Sequence, residues 1–162
     1  MKTTETMVLF WGSDCPFSNW YPAPFTWRGL SFANTEQFMM YHKSLLMNDE
    51  ETAKELLSTT DPRKAKGLGR KVKNYDEAEW EKSRLSVMIT GCAAKFSQNP
   101  KLKELLLGTG NKVLVEASPF DKVWGIGLDQ GDPRALDPKQ WRGRNLLGVS
   151  LIAVREDLSY DD

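Results

Sequence analysis

Glu36 and Lys43 stand seven positions apart in Thr35-Glu36-Gln37-Phe38-Met39-Met40-Tyr41-His42-Lys43. In a helix that spacing is two turns, roughly 10 Å of rise, and it puts Glu36, Met39, Met40 and Lys43 on one face. A carboxylate and an amine then flank an apolar floor. Ordinary packing also produces such a face, with the charges as its solvated rim, so the stretch alone does not establish a site. The chemistry it would serve is the breaking of a bond to a sugar. Carboxylates stabilise an oxocarbenium-like transition state or handle protons. A lysine whose pKa is lowered by burial can instead attack a ring-opened sugar as a Schiff-base nucleophile. Neither route requires a metal.

Other chemistries lack their parts. There is no Gly-rich phosphate loop followed by Lys and Ser/Thr, and no nucleophile elbow. His42 is the single histidine, and Cys15 and Cys92 are too few and too far apart for a zinc cluster or a disulfide framework. The expectation is a protein without metal or cofactor in a reducing compartment. Lys plus Arg equals Asp plus Glu at 22 each, so any nucleic-acid contact has to be local. No apolar run has membrane-spanning length and Met1 to Thr6 is polar, which reads as soluble, intracellular and cytoplasmic, without membrane partners.

The elements that must position these residues follow from periodicity and punctuation. Met7 to Trp11 reads as a first strand, and Thr26 to Phe32 as a hairpin turning at Arg28-Gly29. Between them Phe17-Ser18-Asn19-Trp20 opens an aromatic, proline-stiffened loop that either binds a ligand or tucks rings into the core. Asn34 or Thr35 caps the helix carrying Glu36, where a carboxylate also suits the helix dipole. Asn48 with Glu51 makes a capping-box pattern for a short helix, and Asp61-Pro62 starts another. That segment crowds Arg63, Lys64, Lys66, Arg70, Lys71 and Lys73 together, and Gly67 and Gly69 single out Arg70 as an anion ligand.

Asp76 and Glu79 cap a long helix reaching about Gln98, with the stripe Trp80, Arg84, Val87, Met88, Gly91, Cys92 and Lys95. Its two cations either snorkel to water or line a cleft that receives negative charge. A further helix follows Asn99-Pro100. A strand from Lys112 to Ala117 delivers Glu116, Ser118 and Asp121 into a turn ahead of Trp124-Gly125-Ile126-Gly127. The loop from Leu128 to Arg144 is long enough to read as a lid or site wall, and Asn145 caps a final helix from Leu146 to about Asp157.

In this order Phe17-Ser18-Asn19, Thr35-Glu36 with Lys43, Gly69-Arg70, Trp80, Lys95 to Asn99, Leu114 to Ser118, Asp121, Trp124 to Gly127 and Asn145 to Gly148 resemble the NADAR, or YbiA-like, family over residues 8 to 157. The resemblance implies an N-glycosidase cleaving a ribose C1–N bond, with Glu36 and Lys43 catalytic and Trp124, Gly125 and Gly127 shaping the substrate pocket. Many riboflavin-type members carry His after the Glu, where this chain has Gln37. That departure, with Met39-Met40-Tyr41 and the Asp132 to Pro138 loop, resembles more closely the members acting on ADP-ribosylated guanine.

The expected protein is therefore α+β, a mostly helical single domain with one small sheet made from the first strand, the hairpin and the Lys112 to Ala117 strand. Residues 1–6 are expected to be disordered or extended, 7–158 to form the domain, and 159–162 to be an acidic tail. Glu116 and Asp121 complete the expected catalytic set, orienting ribose hydroxyls. Phe17, Ser18, Asn19, Trp20, Arg70, Trp124, Gly125, Gly127 and Asn145 are expected to bind substrate, with Trp20, Trp124 or Trp141 stacking on the base or the adenine. The expected substrate is ADP-ribosylated guanine in nucleic acid or as nucleoside, with an ADP-ribosyltransferase toxin as functional counterpart. The alternatives are an N-glycosidase of riboflavin-pathway ribosylamino-pyrimidines, or a module that binds ADP-ribose or a nucleotide without cleaving it.

Overall fold

Met7–Phe10 is a run of four apolar residues, all buried, as a strand covered on both faces requires. In the computed structural model, which describes residues 1–161, this strand (β2) pairs antiparallel with Lys2–Thr3 (β1) and parallel with a later strand, Val113–Glu116 (β5). The register sets Met7 opposite Val113 and Phe10 opposite Glu116. The chain divides into two compact units, Met1–Ser18 with the chain from Pro100 onward, and Asn19–Asn99.

In the first unit, helices Pro100–Leu107 (α5) and Leu146–Ser159 (α6) pack together, and α6 lies against β5. Met7, Leu9, Val115, Ala117, Ile126, Leu128 and Ala135 form its core, with Trp141 packed against them. The segment 128–144 is tied down, because Trp141 Nε1 donates to the Ala135 carbonyl at 2.8 Å and short 3₁₀ turns span Pro133–Leu136 and Pro138–Gln140. Of the expected acidic tail 159–162, Ser159 ends α6 and Asp162 lies outside the described residues.

The second unit opens with the hairpin Phe25–Trp27 (β3) and Leu30–Phe32 (β4). Its two-residue turn has positive φ at both Arg28 (48°) and Gly29 (78°), which matches the twist of the flanking strands. Helix Thr35–Leu46 (α1) is its hub, packed by Glu50–Leu57 (α2), Pro62–Gly69 (α3) and Glu77–Gln98 (α4). Phe25, Phe32, Phe38 and Ala94 form the core there. Gly91 lets α4 come close to α1, since a Cβ on it would stand 2.7 Å from the Phe38 ring. Asn34, Asp61 and Asp76 accept bonds from the first turns of α1, α3 and α4.

The α+β class is as expected, but three local expectations are corrected. The hairpin is a separate two-stranded sheet, packed on α1 and α4 of its own unit. Asp49, and not Asn48, caps α2. Asn48 sits at φ 57°, one position too early, while Asp49 Oδ1 accepts from Thr52 N at 3.1 Å. Asn145 precedes α6 in the left-handed region without a side-chain cap bond.

Candidate active site

The apolar floor between Glu36 and Lys43 is buried, with Met39 and Met40 at 3% and 7% exposure. Glu36 itself is 5% exposed in the first turn of α1, where the helix dipole favours a carboxylate. The loop before β3 fixes that turn: the Asn19 carbonyl accepts from Glu36 N at 3.1 Å, and Asn19 Oδ1 accepts from the Thr35 hydroxyl at 2.8 Å. Asn19, expected among the substrate-binding residues, is thus buried and engaged in positioning Glu36.

Lys43 projects from the same helix toward the end of α3. Its Nζ donates to the Gly69 carbonyl at 2.8 Å and lies 4.7 Å from the Tyr75 ring and 5.9 Å from that of Trp80. Gly69 has no room for a side chain because a Cβ would overlap Met40 Sδ, so α3 approaches α1 closely enough to present that carbonyl. Burial pushes the Lys43 ammonium below the ordinary lysine range; the Glu36 carboxylate acts against this and the Arg70 charge adds to it. Arg70 is exposed at the end of α3. Glu36, Lys43 and Arg70 therefore share one electrostatic neighbourhood, with Trp20 half-buried nearby in sequence to Asn19 and carrying Lys66 over its ring at 5.9 Å.

The stripe of α4 is buried as its spacing predicts except at half-buried Val87, and its cations do not snorkel freely. Arg84 is 8% exposed and Lys95 1%, the latter with Nζ 4.9 Å from the Phe96 ring and 5.9 Å from that of Tyr21. Cys92 on the same stripe is no nucleophile, since burial pushes its thiol up to about 12 against the opposing charge of Lys95.

Gln37 has a structural task. Its Nε2 donates to the carbonyls of Leu56 (2.8 Å) and Leu57 (3.2 Å), and its Oε1 accepts from Ala33 N at 2.8 Å, stitching α1 to the end of α2 and to the turn after β4. His42 is likewise wrapped in rings, with Phe38 at 4.1 Å and Trp27 at 4.7 Å, and a groove of about 440 Å³ is lined by His42, Leu45, Leu46, Lys82, Ser83, Ser86 and Val87. None of these was expected to do chemistry.

The first unit holds the remaining expected residues. Glu116 closes β5, and Asn145 clamps that strand: its Oδ1 accepts from Glu116 N at 3.0 Å and its Nδ2 donates to the Leu114 carbonyl at 2.9 Å. Asp121 Oδ1 accepts from Val123 N and Trp124 N, while Ser118 Oγ accepts from Phe120 N and Asp121 N. Gly125 packs where a Cβ would stand 2.9 Å from the Glu116 carbonyl, and Gly127 has φ 70°. Phe17 is a core ring, edge-on to Phe10 at 5.6 Å, and Ser18 is buried. Tyr75, the ring under Lys43, had no signal in the sequence because it stands in the connection between α3 and α4, outside any periodic pattern.

Among the described residues no cluster of three or more His, Cys, Asp or Glu is placed to hold a metal ion, and no helix is long and apolar enough to cross a membrane. A NADAR domain model matches residues 9–159. Protein irg-1 of Caenorhabditis elegans is 42% identical over 171 residues, covering 96% of this chain and 81% of that protein. N-glycosidase R617 of Acanthamoeba polyphaga mimivirus is 42% identical over 165 residues, covering 95% of this chain and 97% of that protein. The NMR structure of the E. coli protein YbiA is similar with a TM-score of 0.81 at 26% identity, covering 99% of this chain and 89% of that one.

Proposed function

The chain belongs to the NADAR family, and from that membership we propose that it is an N-glycosidase removing ADP-ribose from guanine bases of nucleic acid. The name of the mimivirus relative supports the bond class. The observation that carries the reading is the pairing on α1 of a buried carboxylate, Glu36, with an amine, Lys43, whose charge burial disfavours.

In the first route the ribose C1–N bond breaks with its electron pair passing to the guanine nitrogen, which takes up a proton. Glu36 stabilises the oxocarbenium-like charge and takes a proton from the water that adds to C1. In the second, neutral Lys43 Nζ bonds to C1 as the C1–N bond to guanine and the C1–O bond of the ribose ring break, each electron pair leaving with its heteroatom. The two Nζ protons pass to the ribose ring oxygen and to the departing guanine, and water then hydrolyses the C1–N imine to the aldehyde and the free amine. Arg70, beside Lys43, meets the pyrophosphate charge in either route. On this reading the modified base is made by an ADP-ribosyltransferase, the toxin counterpart expected above.

The test is incubation with ADP-ribosylated guanosine, with the same base in an oligonucleotide, and with riboflavin-pathway ribosylamines. Release of ADP-ribose from modified guanine is expected. Turnover of the ribosylamines alone would overturn the substrate, and tight binding with no product would make the protein a binding module. A borohydride-trapped adduct on Lys43 separates the second route from the first.

A further inference from the structure

Trp11 and Phe120 are large apolar side chains left in solvent, 49% and 82% exposed, with ring centroids 6.0 Å apart at 58°. Trp11 directly follows β2 and Phe120 follows β5, so the pair stands at the carboxyl ends of two parallel strands. Three cations are exposed close by in the chain: Lys122, two residues after Phe120, and Arg142 and Arg144 on the segment hydrogen-bonded to residues 122–126. Arg144 N donates to the Lys122 carbonyl at 2.9 Å, and the Arg142 Cβ and Lys122 Cγ flank Gly127, 3.0 and 3.2 Å from where its Cβ would be. None of the three is in an ion pair among the described residues. The carboxylates nearby are engaged: Asp121 Oδ1 holds two backbone N–H groups, and Asp132 is paired with Arg134 at 2.6 Å, with the Arg142 charge acting on it more weakly.

We propose that this surface of the first unit binds single-stranded nucleic acid, with an unstacked base on Phe120 and Trp11 and the phosphates on Lys122, Arg142 and Arg144. Exposed ring faces near exposed cations match a polymer that alternates flat bases with phosphates. A protein partner would call for a wider apolar patch than two rings set among charges. The surface is also preorganised. Ser118 and Asp121 pin the turn, and residues 142–147 bond to the backbone of residues 122–126, so little ordering entropy is lost on binding. A net charge of zero leaves the attraction local. The inference rests on the proposed function only for the purpose of the binding, which would make a polynucleotide and not a free nucleoside the preferred carrier of the modified guanine.

The experiment is fluorescence anisotropy of a labelled oligo-dT of about 16 nucleotides against the full chain at several salt concentrations. The parent should bind, and a duplex of equal length should bind more weakly. Phe120→Ala should weaken binding about tenfold with an unchanged salt slope. Arg142→Ala with Arg144→Ala should lower the slope of log affinity against log salt by about 1.4. Absence of parental binding at low salt, equal affinity for duplex, or Phe120→Ala binding like the parent would each overturn the proposal. Hydrolysis of ADP-ribosylated guanosine by the same variants is the control, expected at the parental rate. Cleavage of the nucleoside without oligonucleotide binding would sink this inference alone, whereas binding with cleavage of no substrate would sink the proposed function alone.

Discussion

The ammonium of Lys43 donates to the carbonyl of Gly69 at 2.8 Å, so a main-chain oxygen at the end of α3 fixes where the amine of α1 points. Burial holds its pKa below the ordinary lysine value, which means that between the two pKa values the unfolded chain binds the proton more readily than the folded one. Stability therefore rises with pH through that window, and the charge at neutral pH opposes folding. Lys43→Met should abolish turnover, by about a thousandfold or more, and its urea midpoint should lack the parental rise with pH below the ordinary lysine value. The parental rate should climb with pH toward a midpoint below the ordinary lysine value. Retained activity in the Met variant would end any role for the amine.

Gln37→His puts an imidazole where riboflavin-type members carry one. The ring cannot replace two donated bonds and one accepted bond to main chain, so the Ala33 N–H and the Leu56 and Leu57 carbonyls lose their partner. A loss of about 1–3 kcal/mol in urea unfolding is expected, with no gain of activity on ribosylamines. An increase in that activity would show that the position, and not the surrounding pocket, selects substrate.

Asn145→Ala removes both bonds that clamp β5 at Leu114 and Glu116, and leaves a non-glycine residue at φ 53° without them. The expected cost is about 2–3 kcal/mol. Crystal or NMR coordinates of the variant should show the end of β5 displaced. A melting temperature equal to the parent's would disprove the clamp.

His42 gives a pH test that needs no substrate. Burial pushes its pKa below 6.5, the bond to the Phe38 carbonyl acts against this, and the Arg28 charge adds to the lowering. The unfolded chain then takes up the proton first, and stability is lost as pH falls below about 6.5. Between pH 7.5 and 5.5 the parental urea midpoint should fall more than that of His42→Phe. Equal falls would place the pH dependence on other groups.

Legibility followed locality. The one-face placement of Glu36 and Lys43, the turn at Arg28-Gly29, the caps at Asp61 and Asp76 and the buried stripe of α4 all came from patterns a few residues long, where chain geometry leaves little choice. The separate hairpin sheet did not, because whether a hairpin joins a sheet or packs on helices depends on tertiary contacts far along the chain. Asn145 and Asn19 read as a cap and a ligand-binding amide by residue type. Their actual partners, 29 and 16 residues away, are set by tertiary packing that no spacing encodes. Gln37 was legible only as a missing imidazole, and its three backbone bonds appear only once α2 is in place.

The parallel pairing of Met7–Phe10 with Val113–Glu116 also dictates an order of assembly. Everything from Asn19 to Asn99 is synthesised before β2 meets its parallel partner β5, and that span is itself a compact unit. On the ribosome the carrier of Glu36 and Lys43 is complete while β2 has only the two residues of β1 beside it, so the nascent chain holds an apolar strand with one edge open until Val113 to Glu116 emerge. Met7 to Phe10 thus keeps one edge open to aggregation until β5 is made.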